Sequence, residues 1–332
     1  MSFPQPELLH TREGTLRRLG LELEFAGLEL SQASQLITEA YGGTVVAESA
    51  FVHRVEGTPW GTFIVELDTN LLKERTYAQY LRRVGINVDD DEPSRDRLED
   101  FLARAAATVV PLEIVTPPIP LPDLHRMEEM RQRMHALHAR GTRSSWLYAF
   151  GLHLNPEATE CTGAVALNHL RAFLILYDWL HVSGEIDWTR RLTPYIDPFP
   201  EAYRLMVIDP AYQPDTEQLI VDYLQYNPTR NRALDMLPIF RFMAGDWVVE
   251  PLGEAAAMVK PRPAFHYRLP NCRIDEPDWT LAREYGGWVA VEWLALRPDV
   301  MISLAERLRV HGRPWISGVD EHWAAICAEV LP

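Results

Sequence analysis

Four short stretches alternate apolar and polar residues with a period of two, and this pattern most constrains the fold. Leu21, Leu23 and Phe25 alternate with Glu22 and Glu24. Phe63, Val65 and Leu67 oppose Glu66 and Asp68; Leu112 and Ile114 oppose Glu113; Leu152 and Leu154 oppose His153 and Asn155. Successive side chains of a strand point to opposite faces, so strands sharing one sheet would give it an apolar back and a front that collects carboxylates and an imidazole. Taken singly, each acidic pair reads as the wet face of an amphipathic strand. Repetition over four strands shifts the balance, because strands are depleted in Asp and Glu. Like charges on one face repel unless a cation sits among them. A front bearing Glu22, Glu24, Glu66, Asp68, Glu113 and His153 offers hard oxygen ligands and one nitrogen, which suits Mg²⁺ or Mn²⁺ rather than a thiolate-loving metal.

The rest of the chain surrounds these strands with helices. Periodicity predicts helices over residues 31–41, 95–108, 123–140, 161–182, 218–226 and 232–243, and a helical C-terminal region from about 278 to 332. Ser31 or Ser34 can cap the first, Gly42 and Gly43 end it, and Gly141 fits the end of the third. Residues 44–55 read as a strand joined to 60–67 in a hairpin, and 263–271 alternates like a further strand. The expected class is α+β, a mostly antiparallel sheet with a polar concave face, backed by helices. No internal repeat or low-complexity linker divides the chain, so a single domain is expected, with a helical insertion at about 185–245. The 332 residues carry a net charge of −15, which argues against a nucleic-acid or anionic-membrane partner. Three widely spaced cysteines, Cys161, Cys272 and Cys327, show no metal-knuckle or disulfide spacing and favour a reducing, cytoplasmic setting. No signal peptide or membrane span is expected, since no apolar run reaches the ~20 residues a span needs.

Basic residues lie downstream of the acidic strands: Arg230, Arg232, Arg241, Lys260 and Arg268. Guanidinium groups bind phosphate and carboxylate in a bidentate way. Divalent metal with arginines suggests phosphoryl chemistry on a nucleotide, yet the chain has no glycine-rich phosphate loop and no kinase signature. Any nucleotide would therefore lie on the sheet face. Two other readings stay open. One is a hydrolase using Glu22 or Glu24 with Glu113 as a carboxylate pair. The other is a non-catalytic binding or scaffold subunit.

The ordered set GLELEF at 20–25, VELD at 65–68, LEIVTPP at 112–118, GLHLN at 151–155 and FHYRL at 265–269 resembles the amidoligase family of glutamine synthetase-like carboxylate–amine ligases. The resemblance spans roughly residues 17–270. It implies a glutamine synthetase-like catalytic core and an ATP-dependent ligase that joins a small-molecule or peptide carboxylate to an amine through an acyl phosphate. It also implies Mg²⁺ or Mn²⁺ on Glu22, Glu24, Glu113, His153 and His266. Nucleotide contacts would come from His153, Asn155, Arg230, Arg232 and Lys260, and catalytic roles from Glu66, Asp68 and Arg268. Asn155 stands where that family often has a second histidine, and His266 where it has a glutamate.

Overall fold

The computed structural model describes residues 3–67, 111–142, 150–186, 196–311 and 319–332. Asp68, the helix expected at 95–108 and the start of the strand expected at 145–155 lie outside these residues. In chain order the elements are β1 (Arg18–Phe25), α1 (Leu30–Tyr41), β2 (Thr44–Ala47), β3 (Val52–Thr58), β4 (Gly61–Leu67), β5 (Leu112–Val115), β6 (Ile119–Pro120), α2 (Met127–Ala136) and β7 (Leu152–Pro156). Then follow α3 (Gly163–Ser183), α4 (Glu201–Ile208), α5 (Thr216–Tyr226), β8 (Leu234–Asp235), α6 (Leu237–Ala244), β9 (His266–Tyr267), α7 (Leu281–Ala295), α8 (Pro298–Val310) and α9 (Glu321–Ala328). Short 3₁₀ segments occupy Leu121–Arg126 and Asp246–Met258.

The strands form one antiparallel nine-stranded sheet in the order β2-β3-β4-β5-β1-β7-β9-β8, with β6 also on β1. The protein thus mixes helix with antiparallel sheet, as the alternation and the helical periodicity require. β1 lies near the middle, between β5 and β7. Pro117 and Pro118 interrupt the ladder after β5, and the chain rejoins β1 with Ile119 opposite Leu19, one residue out of the earlier register.

The back of the sheet is the core. Leu21, Leu23, Phe25, Phe63, Val65, Ile114, Leu152 and Leu154 are all buried. Phe265 and Tyr267 continue this surface and meet α3 and α7. The His169 ring of α3 stacks on Phe265 at 4.6 Å, Phe173 meets Tyr267 edge-on at 6.0 Å, and Trp288 of α7 packs on both Phe265 and Tyr267. Helix α3 is buried nearly all round because α4, α5, α7, α8 and α9 pack about it.

Several local expectations change. Helix α1 is capped by Glu29, not by Ser31 or Ser34: the Glu29 N–H donates to Gln32 Oε1 at 2.9 Å in a reciprocal capping box, while Ser34 Oγ donates back to Leu30 O. Gly42 ends this helix at φ 77°, as expected of a residue without Cβ. Residues 44–55 form two strands rather than one. The helix expected at 123–140 is a 3₁₀ turn followed by α2, and His138 at φ 62°, not Gly141, turns the chain away. Residues 232–243 begin as β8, because Leu234 and Asp235 pair with Tyr267 and His266 before α6 starts. The strand expected at 263–271 forms a ladder at His266–Tyr267, flanked by isolated antiparallel bridges at Ala264 with Glu157 and at Asn271 with Gly151. Thr280, rather than Asp278, caps α7, and Pro298 opens α8 at its first turn, where a missing N–H costs nothing.

One buried ion pair ties β1 to α7. Arg17 donates from Nη1 to Glu292 Oε2 at 2.9 Å and from Nη2 to Oε1 at 2.5 Å, and its Nε reaches Glu157 O at 2.8 Å. Trp288 Nε1 also donates to Glu292, at 2.6 Å. Removing one partner of such a pair strands a buried charge. Glu292→Gln is therefore expected to lower unfolding free energy by about 3 kcal/mol in urea titration. An unchanged midpoint would mean that apolar packing alone holds α7 against the strand.

Candidate functional site

Antiparallel register assembles the front of the sheet. Glu24 stands opposite Glu113, and Glu113 is also opposite Glu66 on β4, so three carboxylates form a row across β4, β5 and β1. Glu22 stands opposite His153. On the far side Leu154 pairs with Tyr267 and His266 with Asp235. These pairings carry the polar row onward from His153 and Asn155 to His266 and Asp235. Like charges directly opposite one another destabilise a sheet, so the row Glu66–Glu113–Glu24 has to be offset by the groups around it.

Glu22 is the hub. Its Oε2 accepts from His153 Nδ1 at 3.0 Å, its Oε1 accepts from Asn155 Nδ2 at 2.8 Å, and Arg262 Nη1 lies 3.3 Å from Oε1. His266 Nε2 stands 3.8 Å from Oε2, beyond hydrogen-bond reach. Burial works to raise the carboxyl pKa of Glu22, but the imidazoles of His153 and His266 outweigh it and hold the group well below the ordinary carboxylate value. Burial pushes His153 down to about 4, against the pull of Glu22 and Glu24, with the Arg268 charge adding to the fall. The two directions agree on one state at neutral pH: an ionised Glu22 and a neutral His153. Because an ionised carboxylate only accepts, the single imidazole proton sits on Nδ1. The lone pair of His153 Nε2 then faces Glu24 Oε1 at 3.6 Å.

A lone pair aimed at a carboxylate is repulsive unless something positive lies between them, and here the donor set fits a metal ion. Atoms of Glu24, Glu113 and His153 lie within 4.8 Å of one another, as do atoms of Glu22, His153 and His266. Glu24 is itself held, since Gly151 N donates to its Oε2 at 2.6 Å. His266 is held by Asp235, whose Oδ2 lies 3.2 Å from Nδ1, while Asp235 Oδ1 accepts from Leu237 N at 3.0 Å. A carboxylate behind an imidazole fixes the tautomer and ring orientation of metal-ligating histidines.

A cluster of arginines borders the carboxylates. Arg230 is pushed below the ordinary guanidinium value, mainly by burial, with the charges of Arg268 and Arg262 adding and those of Asp235 and Glu22 opposing. The Nε atoms of Arg230 and Arg262 are buried without a hydrogen-bond partner. Arg268 Nη1 donates to Arg230 O at 2.6 Å, which fixes the two residues side by side.

The sequence expectations divide accordingly. Glu22, Glu24, Glu113, His153, Asn155 and His266 come together, Glu66 extends their row, and Arg230 and Arg268 lie beside them. Arg232 is engaged elsewhere: its guanidinium donates to Asn227 Oδ1, Pro198 O and Tyr226 O and braces a turn. Arg241 binds Asp246 Oδ1 and the carbonyl of Ala256. Lys260 is exposed beyond the 3₁₀ segment.

The family model described as "Putative amidoligase enzyme" matches residues 15–290. The chain belongs to this family. No curated protein and no solved structure matches it. The matched span holds every residue of the candidate site, and the family description points to an enzyme that forms amides. No helix among the described residues is long and apolar enough to cross a membrane.

Two residues of the candidate site escape sequence reasoning. Asp235 lies in a two-residue strand, too short to show a period, inside what reads as a helix. Arg262 stands between Pro261 and Pro263, and this charge in a fixed extended stretch just before β9 was the available signal.

The depressed His153 predicts a pH dependence. Its unfolded value is near 6.5 and its folded value about 4, so the unfolded state binds more protons between them. The contribution is complete above about 6.5 and is lost as pH falls through that window toward 4, on the order of 3 kcal/mol in all. Glu22 extends the loss to lower pH. Metal-free His153→Gln is expected to show a flatter decline in urea midpoint from pH 7 to 4. Parallel curves for the two proteins would show that His153 does not carry the effect.

Proposed function

We propose that the protein is an ATP- and divalent-metal-dependent carboxylate–amine ligase built on a glutamine synthetase-like core. The observation that carries this reading is a single sheet face where a carboxylate–imidazole set suited to cations borders three arginines suited to anions. A nucleoside triphosphate complexed with a metal ion presents both charges to such a surface. His153 is common to both donor sets, so a single ion would be held there, by His153 with Glu22 and His266, bordered by Glu24 and Glu113. The ion supplies charge neutralisation at the phosphate oxygens.

Arg230, Arg262 and Arg268 would grip the phosphoryl group and stabilise its charge during transfer. Transfer of the γ-phosphoryl to a substrate carboxylate gives an acyl phosphate and ADP. Attack by an amine then forms the amide bond, expels phosphate and releases a proton. Glu66, one strand outward from Glu113, is the candidate acceptor of that proton. Asp68, two residues on in the same stretch of sequence, retains its proposed catalytic role. Asn155 fixes the Glu22 carboxylate and would act on the nucleotide through it. The stretch around 185–245, which contributes Arg230, is proposed to shape the choice of acid and amine. The two-carboxylate hydrolase has less support, because a carboxylate pair working alone has no use for three clustered guanidiniums, which suit an anionic ligand.

Binding to the native state raises thermal stability by mass action, about 2.7 kcal/mol at a hundredfold excess over the dissociation constant. Unfolding is therefore expected to shift upward with ATP plus metal by more than the sum of each alone. Glu24→Gln should abolish the metal-dependent part, and Arg262→Ala should weaken the nucleotide-dependent part. No shift with ATP under any metal condition would sink the proposal.

A further inference from the structure

The carboxylate–imidazole chain Asp235–His266–Glu22–His153 departs from what a pure oxygen cation needs. Mg²⁺ demands oxygen ligands in near-ideal octahedral geometry, whereas imidazole nitrogen suits transition-row ions. Two of the three donors in the Glu22, His153 and His266 set are imidazoles. His266 is 2% exposed, and its Nε2 is buried with no hydrogen-bond partner while facing Glu22 Oε2 at 3.8 Å. The other ring nitrogen is committed to Asp235, itself fully buried and fixed by the Leu237 N–H. A buried imidazole nitrogen left without a partner is costly. Directing it at an ionised carboxylate, with a second carboxylate locking the ring from behind, is the arrangement a metal-ligating histidine has.

We infer that the ion held by Glu22, His153 and His266 is a nitrogen-accepting divalent ion of the first transition row in preference to Mg²⁺, and that Asp235 is the positioning residue for His266. The inference rests on reading this face as a metal site and is independent of the nucleotide. Arg262 has a part in it. Its guanidinium lies on Glu22 Oε1 and supplies positive charge there, so an arriving ion competes with it for the same carboxylate.

The test uses the full chain without nucleotide. Any N/O site binds transition ions more tightly than Mg²⁺, so bare affinity does not decide the matter. Pulsed electron paramagnetic resonance of the Mn²⁺-loaded protein reads directly whether nitrogen is coordinated. Wild type is expected to show couplings from two imidazole nitrogens, and His266→Glu from one. By competition dialysis, His266→Glu should lower the preference for Mn²⁺ over Mg²⁺ at least tenfold. Asp235→Asn should keep both nitrogen couplings but weaken Mn²⁺ binding about 10–100-fold, the usual cost of losing a carboxylate behind a metal-ligating histidine.

Oxygen-only coordination in wild type would overturn the inference without recourse to any variant. Equal nitrogen couplings and equal ion preference in wild type and His266→Glu would do the same, and would leave His266 as a structural link between two carboxylates. Mn²⁺ binding of the expected kind in a protein indifferent to ATP would sustain this inference and defeat the ligase proposal. Oxygen-only binding in a protein that responds to ATP and metal would do the reverse.

Discussion

Carboxylates facing one another across adjacent strands set the terms for the rest of the molecule. Glu66, Glu113 and Glu24 are fixed in a row by backbone register, and register cannot relax without turning the apolar residues of each strand out of the core. The burial of Leu21, Leu23, Phe25, Ile114, Val65 and their neighbours therefore forces the acidic residues together on the opposite face. Part of this repulsion is answered by hydrogen bonds, as at Glu24 with Gly151 N and at Glu22 with Asn155 and His153. Charge answers part of it as well, since Arg262 leans on Glu22.

The surroundings follow from this constraint. The sheet must be rigid enough to hold like charges at fixed separations, and the helices behind it supply that rigidity. Aromatic rings of α3 and α7 pack on Phe265 and Tyr267, on the reverse of the segment that presents His266 and Arg268 to the front. The Arg17–Glu292 pair anchors the residue just before β1 to α7, five residues ahead of Glu22. Core and site are thus two faces of the same few strands, which explains why the acidic residues are so regularly spaced by apolar ones.

Membership of the amidoligase family and the arrangement of charges point the same way. The proposed ligand, a metal–polyphosphate complex, is both cationic and anionic, and a surface suited to it must place opposite charges side by side without letting them collapse onto each other. Here Glu22, Glu24 and Glu66 belong to the long strands β1 and β4, with Glu113 on the short β5 between them, whereas Arg230, Arg262 and Arg268 belong to short or irregular segments at the sheet's far side. That division keeps the two sets adjacent and distinct, and Arg262 crosses between them at Glu22.

Alternation alone was enough to identify β1, β4, β5 and β7 and to predict which residues face forward, because strand geometry leaves only two directions for a side chain. It also marked Glu22, Glu24, Glu113 and His153 as neighbours-to-be, and the ordered motifs identified the family. Which carboxylate faces which partner was not legible, since register depends on loops and bulges such as the one-residue shift at Pro117–Pro118. Nor was the role of Asp235, whose two-residue strand exists only because β9 is there to pair with it. Arg230 and Arg232 look equivalent in sequence. Tertiary packing alone turns the first toward Arg268 and Glu22, and it commits the second to the carbonyls of Pro198 and Tyr226, because hydrogen-bond partners distant in sequence decide where a long side chain points.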